Sequence, residues 1–225
     1  VSVILLEWLL PDPRVLGWYS TAYKYIDAVG VVAAFFTMAI FPLMSRYAAT
    51  ARDQLLRAYT LAVKLLVMFA IPMGVLISSL STELVALLGG SQYLPQAAQV
   101  LQVMIWYMPF GFINSVTQYV LIALGQQRYL TRAFAIGLAF NVIANTVLIQ
   151  QIGYMASAWV AIFSELALLV PFYLGVRRHL APIPWVRLLW KPAASALPMF
   201  LLFLALPRPW NLLAIPLGGA LYLAL

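Results

Sequence analysis

Lys24 and Asp27 stand three residues apart in an apolar run, a spacing that brings two side chains to neighbouring positions on one helix. Two readings follow. In one, Lys24 is a cavity-lining cation for an anionic substrate and Asp27 its counter-ion. In the other, the two form a snorkelling interfacial pair. Glu165 lies about ten residues into an apolar run that starts near Met155, which at about 1.5 Å per residue is about 15 Å deep, near the middle of a hydrocarbon core about 30 Å thick. A carboxyl at that depth is protonated, paired or facing water. It is then either a proton- or cation-coupling site, or a protonated group hydrogen-bonded to a neighbouring helix. Asn114, Thr117 and Gln118 share one run, and Asn141 and Asn145 are four apart on the next. Such residues join helices by side-chain hydrogen bonds or bind sugar hydroxyls in a wet cavity. Tyr19, Tyr23 and Tyr25 either stack on sugar rings or belong to an interfacial aromatic belt. Lys64, one turn into its run, reads as a snorkelling side chain.

The elements that position these residues are membrane helices. The chain is 65% hydrophobic and 8% charged, where a soluble domain carries about 25% charged residues. Its mean hydropathy is +0.97. Apolar runs long enough to span a bilayer fall at about 24–45, 60–80, 98–123, 131–150, 155–176 and 189–206, with a partial run at 1–10 and another starting near 210. The fold class expected is all-α, a polytopic transmembrane bundle. Alternating strands of about ten residues, which a β-barrel needs, are not seen.

Basic residues gather in every second gap: Arg46, Arg52 and Arg57, then Arg128 and Arg132, then Arg177, Arg178, Arg187 and Lys191. The intervening gaps hold Asp12 and Glu83. This alternation places the basic gaps in the cytoplasm. Arg14 and Arg208 are single exceptions. Trp8, Trp18, Trp159, Trp185, Trp190 and Trp210 fall near predicted helix ends, as an aromatic belt requires. Prolines in or near the runs, among them Pro42, Pro72, Pro109, Pro171, Pro198 and Pro216, either kink helices or simply follow membrane composition.

Several functions are excluded. The net charge of +7 sits at helix ends rather than on one face, so it marks topology and anionic-lipid contacts, not nucleic acid. No cysteine is present and His179 is the single histidine, so neither a thiolate nor a histidine-rich metal site can form in this chain, and no cofactor is expected. GxxxxGK[ST], GxSxG and HExxH are all missing, which leaves an ATP-driven pump or a membrane hydrolase without support. No stretch has the three-part layout of a signal peptide. Because the chain opens inside one apolar run and stops inside another, it is expected to be a piece of a longer membrane protein.

The order of several short motifs resembles polysaccharide and O-antigen flippases of the multidrug/oligosaccharidyl-lipid/polysaccharide exporter superfamily. Gly17-Trp18-Tyr19-Ser20-Thr21-Ala22-Tyr23-Lys24, then Phe41-Pro42-Leu43-Met44-Ser45-Arg46, are similar to that family's VG-x-Y-x-x-A-Y and FP-x-x-SR. Ile71-Pro72 follows, then Leu87-Leu88-Gly89-Gly90 with Tyr93, and Ala123-Leu124-Gly125-Gln126. Asn141, Asn145, Leu148-Ile149 and Gly153 resemble N-x-x-x-N-x-x-LIP-x-x-G, and Ser164-Glu165 resembles the SE of the next helix. Gln150 departs from the proline of LIP, and Ala156-Ser157-Ala158 from Gly-Ala-Ala. The resemblance covers about residues 10–180.

It implies a second lobe of about six helices over 1–180, its first helix cut short, with additional terminal helices over 181–225, the last also cut short. It implies partners too: membrane lipids, a lipid-linked oligosaccharide and an N-terminal lobe of the same chain. The activity implied is flipping of undecaprenyl-diphosphate-linked oligosaccharide across the inner, cytoplasmic membrane for polysaccharide synthesis, by alternating access and without catalysis. The substrate-binding residues would be Lys24, Asp27, Asn114, Gln118, Asn141 and Asn145, with Glu165 as the ion-coupling candidate. Two alternatives stay open: an ion-coupled multidrug antiporter of the same superfamily, and a non-transporting membrane scaffold with no water-filled cavity.

Overall fold

The computed structural model describes residues 1–205 together with Gly219 and Tyr222. The predicted run from near 210 lies outside the described residues, as do Arg208, Trp210 and Pro216. Among the described residues the chain is helical throughout, with short turns and no strand. The helices are α1 (Ser2–Leu9), α2 (Pro13–Thr50), α3 (Arg52–Ser79), α4 (Ser81–Leu84), α5 (Gln96–Met104), α6 (Met108–Ala123), α7 (Gln127–Ile152), α8 (Met155–His179) and α9 (Trp185–Ala205). By length and composition five of these stretches can cross a bilayer: α2, α3, α5 with α6, α7 and α8. The chain is a multi-pass membrane protein.

Local signals set the boundaries. Asp12 caps α2 by accepting the Arg14 amide at 3.0 Å, and Pro13 follows at the first helical position, where its missing donor costs nothing. α2 therefore begins eleven residues before the apolar run at 24 and, at about 1.5 Å per residue, outruns a core of about 30 Å. α2 and α3 nearly merge, because the basic gap closes to Ala51 alone. Gly125 and Gly153 turn the chain at positive φ, 74° and 64°, at the ends of α6 and α7.

The run at 98–123 is not one helix. A 3₁₀ turn over Ile105–Tyr107 divides it into α5 and α6, with Pro109 in the first turn of α6. Proline has no amide to donate and is tolerated there, so the break falls just upstream of it. Non-helical backbone at membrane depth survives only where protein or a cavity surrounds it, and this break is enclosed: Ile105 and Met108 are buried.

α6 is the central helix, packed against α2, α3 and α8. Two of its hydroxyls join those contacts. Tyr59 of α3 shares a 2.8 Å hydrogen bond with Thr117, and Thr37 of α2 a 3.2 Å bond with Ser115. α2 and α7 are peripheral and turn Val31, Phe35, Met38, Phe134, Ile143 and Val147 outward, as a lipid-facing surface requires.

α7 and α8 are locked near their basic ends. The Tyr129 hydroxyl donates to the Pro171 carbonyl at 2.5 Å, and its ring meets His179 edge-on at 6.3 Å. The ring lies where a Gly175 side chain would stand, since a Cβ there would come 2.7 Å from Tyr129 Cε1. Gly175→Val is accordingly expected to destabilise the bundle by about 1–3 kcal/mol through overpacking. Thermal unfolding in detergent checks this, and an unchanged midpoint contradicts it.

Candidate functional site

The break between α5 and α6 delivers Tyr107 to the carboxyl of Glu165. Gly111, one turn on, makes the room: a Cβ there would sit 3.2 Å from Tyr107 Cε2 and 3.7 Å from Glu165 Cδ. Asn114, the next turn along α6, is buried and aims its amide at α8. Its Nδ2 donates to Glu165 Oε2 at 2.8 Å and to the Glu165 carbonyl at 2.9 Å. Its Oδ1 has no hydrogen-bond partner among the described residues. Glu165 also parts two cavities. One, of about 200 Å³, lies toward Gly30 and Ala33 of α2, and the other, of about 530 Å³, opens between α7 and α8 beside Asn141 and Ser164.

Tyr107 and Glu165 line the smaller cavity together. Asp27 is exposed on α2. Lys24 lines a different cavity, of about 320 Å³, between α2 and the segment that carries Leu88, Gly89, Gln92 and Tyr93. The two side chains do not pair: among the described residues the ion pair that forms is Arg14 with Asp12, at 3.0 Å. Three residues on a helix leave an offset of about 60°, enough to divide neighbours between two surroundings.

The asparagines split as well. Asn145 is fully buried and bonded on every side. Its Nδ2 donates to the Asn141 carbonyl at 2.9 Å, to Asn141 Oδ1 at 3.1 Å and to Ser2 Oγ at 3.3 Å, while its Oδ1 accepts from Ser157 at 2.9 Å. It ties α1, α7 and α8 together. Asn141 is half-buried, donates to Ser164 Oγ at 2.8 Å and faces the larger cavity. Gln118 lies half-buried on α6, one turn past Asn114, and joins none of these bonds. Asn145→Leu strands Ser157 and Asn141 and is expected to cost about 1–2 kcal/mol, since a membrane-buried side-chain hydrogen bond averages about 0.6 kcal/mol and several go at once. Reduced heat resistance in detergent with transport retained is the predicted result, and lost transport at full stability would contradict a purely structural Asn145.

Comparison with known proteins fits this architecture. Residues 1–147 match the MatE family, which covers α1 through most of α7 and so includes Lys24, Asp27 and Asn114. The chain belongs to the MatE family. The solved structure of the lipid II flippase MurJ in its inward closed conformation superposes with a TM-score of 0.74 at 18% identity, over 93% of this chain and 46% of that one. This chain thus spans about half the length of that protein, and the likeness is one of fold. No curated protein matches.

Within this MatE chain, Glu165 lies beyond the part that matches the family, yet it packs onto Asn114 inside that part. Reading the sequence missed Tyr107 and Gly111, although Pro109 is the signal that breaks the helix beside them. It also missed Gln92, in a short 3₁₀ turn, and Gln96, which opens α5; neither position has a periodicity to place it.

Proposed function

We propose that this MatE chain is the second lobe, with terminal helices, of a flippase that carries undecaprenyl-diphosphate-linked oligosaccharide from the inner to the outer leaflet of the cytoplasmic membrane by alternating access. The observation that carries the reading is Lys24: an exposed cation on a membrane helix, lining a cavity, with no ion-pair partner among the described residues. Holding an unneutralised ammonium at that place is costly unless an anion completes it, and a diphosphate does so through charge-assisted hydrogen bonds. A sugar headgroup cannot cross hydrocarbon with its hydroxyls unsatisfied. Asn141 and Gln118, both half-buried, are polar groups suited to that task. An apolar cavity of about 560 Å³ between α3, α6 and α9, walled by Ile71, Trp106, Phe110 and Leu197, suits a prenyl or acyl chain. Glu165, bonded by Asn114 and flanked by two cavities, is the ion-coupling group in this reading.

Glu165 and Tyr107, together on the wall of one cavity, favour one other reading, an ion-coupled antiporter of organic cations, since carboxylates and aromatic rings bind such cations. Reconstitution of the full-length protein in liposomes separates the two. Transfer of a diphosphate-linked oligosaccharide to the opposite leaflet is expected. Uptake of organic cations against a proton or sodium gradient, without lipid transfer, would overturn the flippase reading.

A further inference from the structure

We propose that the end of α2 remote from the basic gaps, together with the segment 85–96, forms a separate site that holds the first sugars of a diphosphate-linked saccharide while its diphosphate rests on Lys24. The inference builds on the flippase reading. Arg14, Gly17, Thr21 and Lys24, spaced three or four residues apart, form one stripe of α2, with Trp18 beside Gly17. The segment is fastened along that stripe. Tyr93 covers Gly17, where a Cβ would meet Tyr93 Cε1 at 3.2 Å, and Gly89 sits so close to Thr21 that a Cβ would meet its methyl at 2.8 Å. The Tyr25 hydroxyl donates to the Leu84 carbonyl at 2.9 Å.

Two adjoining cavities, of about 320 and 480 Å³, remain between stripe and segment and share Gln92 and Tyr93 as walls. Their chemistry differs. The first holds Lys24, a cation with no acidic partner among the described residues. In the second the cation, Arg14, is already held by Asp12, whose carboxylate accepts from Nε and Nη2 at 3.0–3.2 Å. That bonding also draws the Asp12 carboxyl below its ordinary pKa, so the pair stays ionised and mutually neutralised. What the second cavity offers is therefore neutral: the amides of Gln92 and Gln96, and the rings of Trp18 and Tyr93. Trp18 is braced by Tyr154 at 5.3 Å between ring centres, and Tyr154 is in turn within 3.5 Å of Gln99.

Each amide both donates and accepts, as vicinal hydroxyls require, and an aromatic face covers the apolar face of a sugar ring. Inorganic phosphate or a phospholipid headgroup would use the Lys24 end and leave the amides and rings idle. The arrangement fits an anion and a glycan joined end to end.

The test uses the full-length protein in detergent. This chain contains no cysteine, so once any cysteine elsewhere in the full-length protein is replaced, Gln92→Cys and Gln96→Cys each add one site whose maleimide modification can be timed. Farnesyl-diphosphate-linked disaccharide is expected to slow both reactions, whereas farnesyl diphosphate alone or phosphatidylglycerol vesicles leave them fast. Gln92→Ala and Gln96→Ala, both solvent-side changes, are each expected to weaken binding of the disaccharide probe about fivefold and to leave farnesyl diphosphate binding unchanged. Equal protection by farnesyl diphosphate or by phosphatidylglycerol would overturn the glycan site. So would full flipping in liposomes with neither cysteine protected. Wild-type protein that flips no lipid-linked saccharide would instead remove the flippase reading beneath it.

Discussion

Lys24→Ala in the full-length protein is expected to slow transfer of a diphosphate-linked oligosaccharide by about tenfold to a hundredfold, and Lys24→Glu to abolish it. A hydrogen bond to a charged group contributes about 1.5–3 kcal/mol, and each 1.4 kcal/mol is tenfold. Charge reversal adds repulsion of the diphosphate to that loss. The structure makes the effect specific, because Lys24 forms no ion pair among the described residues and, being exposed, opens no buried hole when removed. The matched control is Lys64→Ala. That lysine is also exposed on a membrane helix but lines none of the cavities described, and its variant is expected to flip at the wild-type rate. Initial rates in proteoliposomes give both values. Equal loss from the two substitutions would mean that only helix anchoring was disturbed.

Glu165→Gln is expected to keep the fold and remove the dependence of transport on an ion gradient. The amide oxygen of glutamine still accepts from Asn114 Nδ2, so the α6–α8 link of 2.8 Å survives, while the dissociable proton and the charge are gone. Transport with an imposed proton or sodium gradient should then fall to the rate seen without one. Asn114→Ala is expected to act differently: two acceptors on Glu165 lose their donor, and stability drops by about 1–3 kcal/mol. If Glu165→Gln responds to the gradient as the wild type does, the carboxyl is a structural link and coupling lies elsewhere.

How far the sequence carries depends on which force decides. Hydrophobic runs and basic gaps were legible because lipid acts on whole helices, so the bundle and its spans follow from composition. The extension of α2 to Pro13 was less so: Asp12 and Pro13 announce a helix start, but the polar turn after them is invisible to a search for apolar residues. The split of 98–123 rests on Pro109, one of many prolines in a chain where others, such as Pro42 and Pro171, sit within the continuous helices α2 and α8. The fate of Lys24 and Asp27 could not be read from their spacing, because their separation is set by what packs on each side of α2, and those neighbours come from residues 88–93, 107 and 165. Asn114 and Asn145 illustrate the same limit. Both are open between ligand binding and helix linking in the sequence, and the partners each one bonds are long-range and could not be read from it: Glu165 for the first, Ser2 and Ser157 for the second. The resemblance motifs gain a physical meaning too, since Tyr93 of the one packs on Gly17 of the other.

The central claim is that the Lys24 cavity opens alternately to the two sides of the membrane. The most direct measurement puts Ala28→Cys, on the wall of the Lys24 cavity, into the full-length protein with no other cysteine and times its reaction with a membrane-impermeant maleimide from each side of oriented vesicles. Labelling from both sides is predicted, with a balance that shifts when lipid-linked oligosaccharide is supplied. Labelling from one side only, unmoved by substrate, would contradict alternating access at this site.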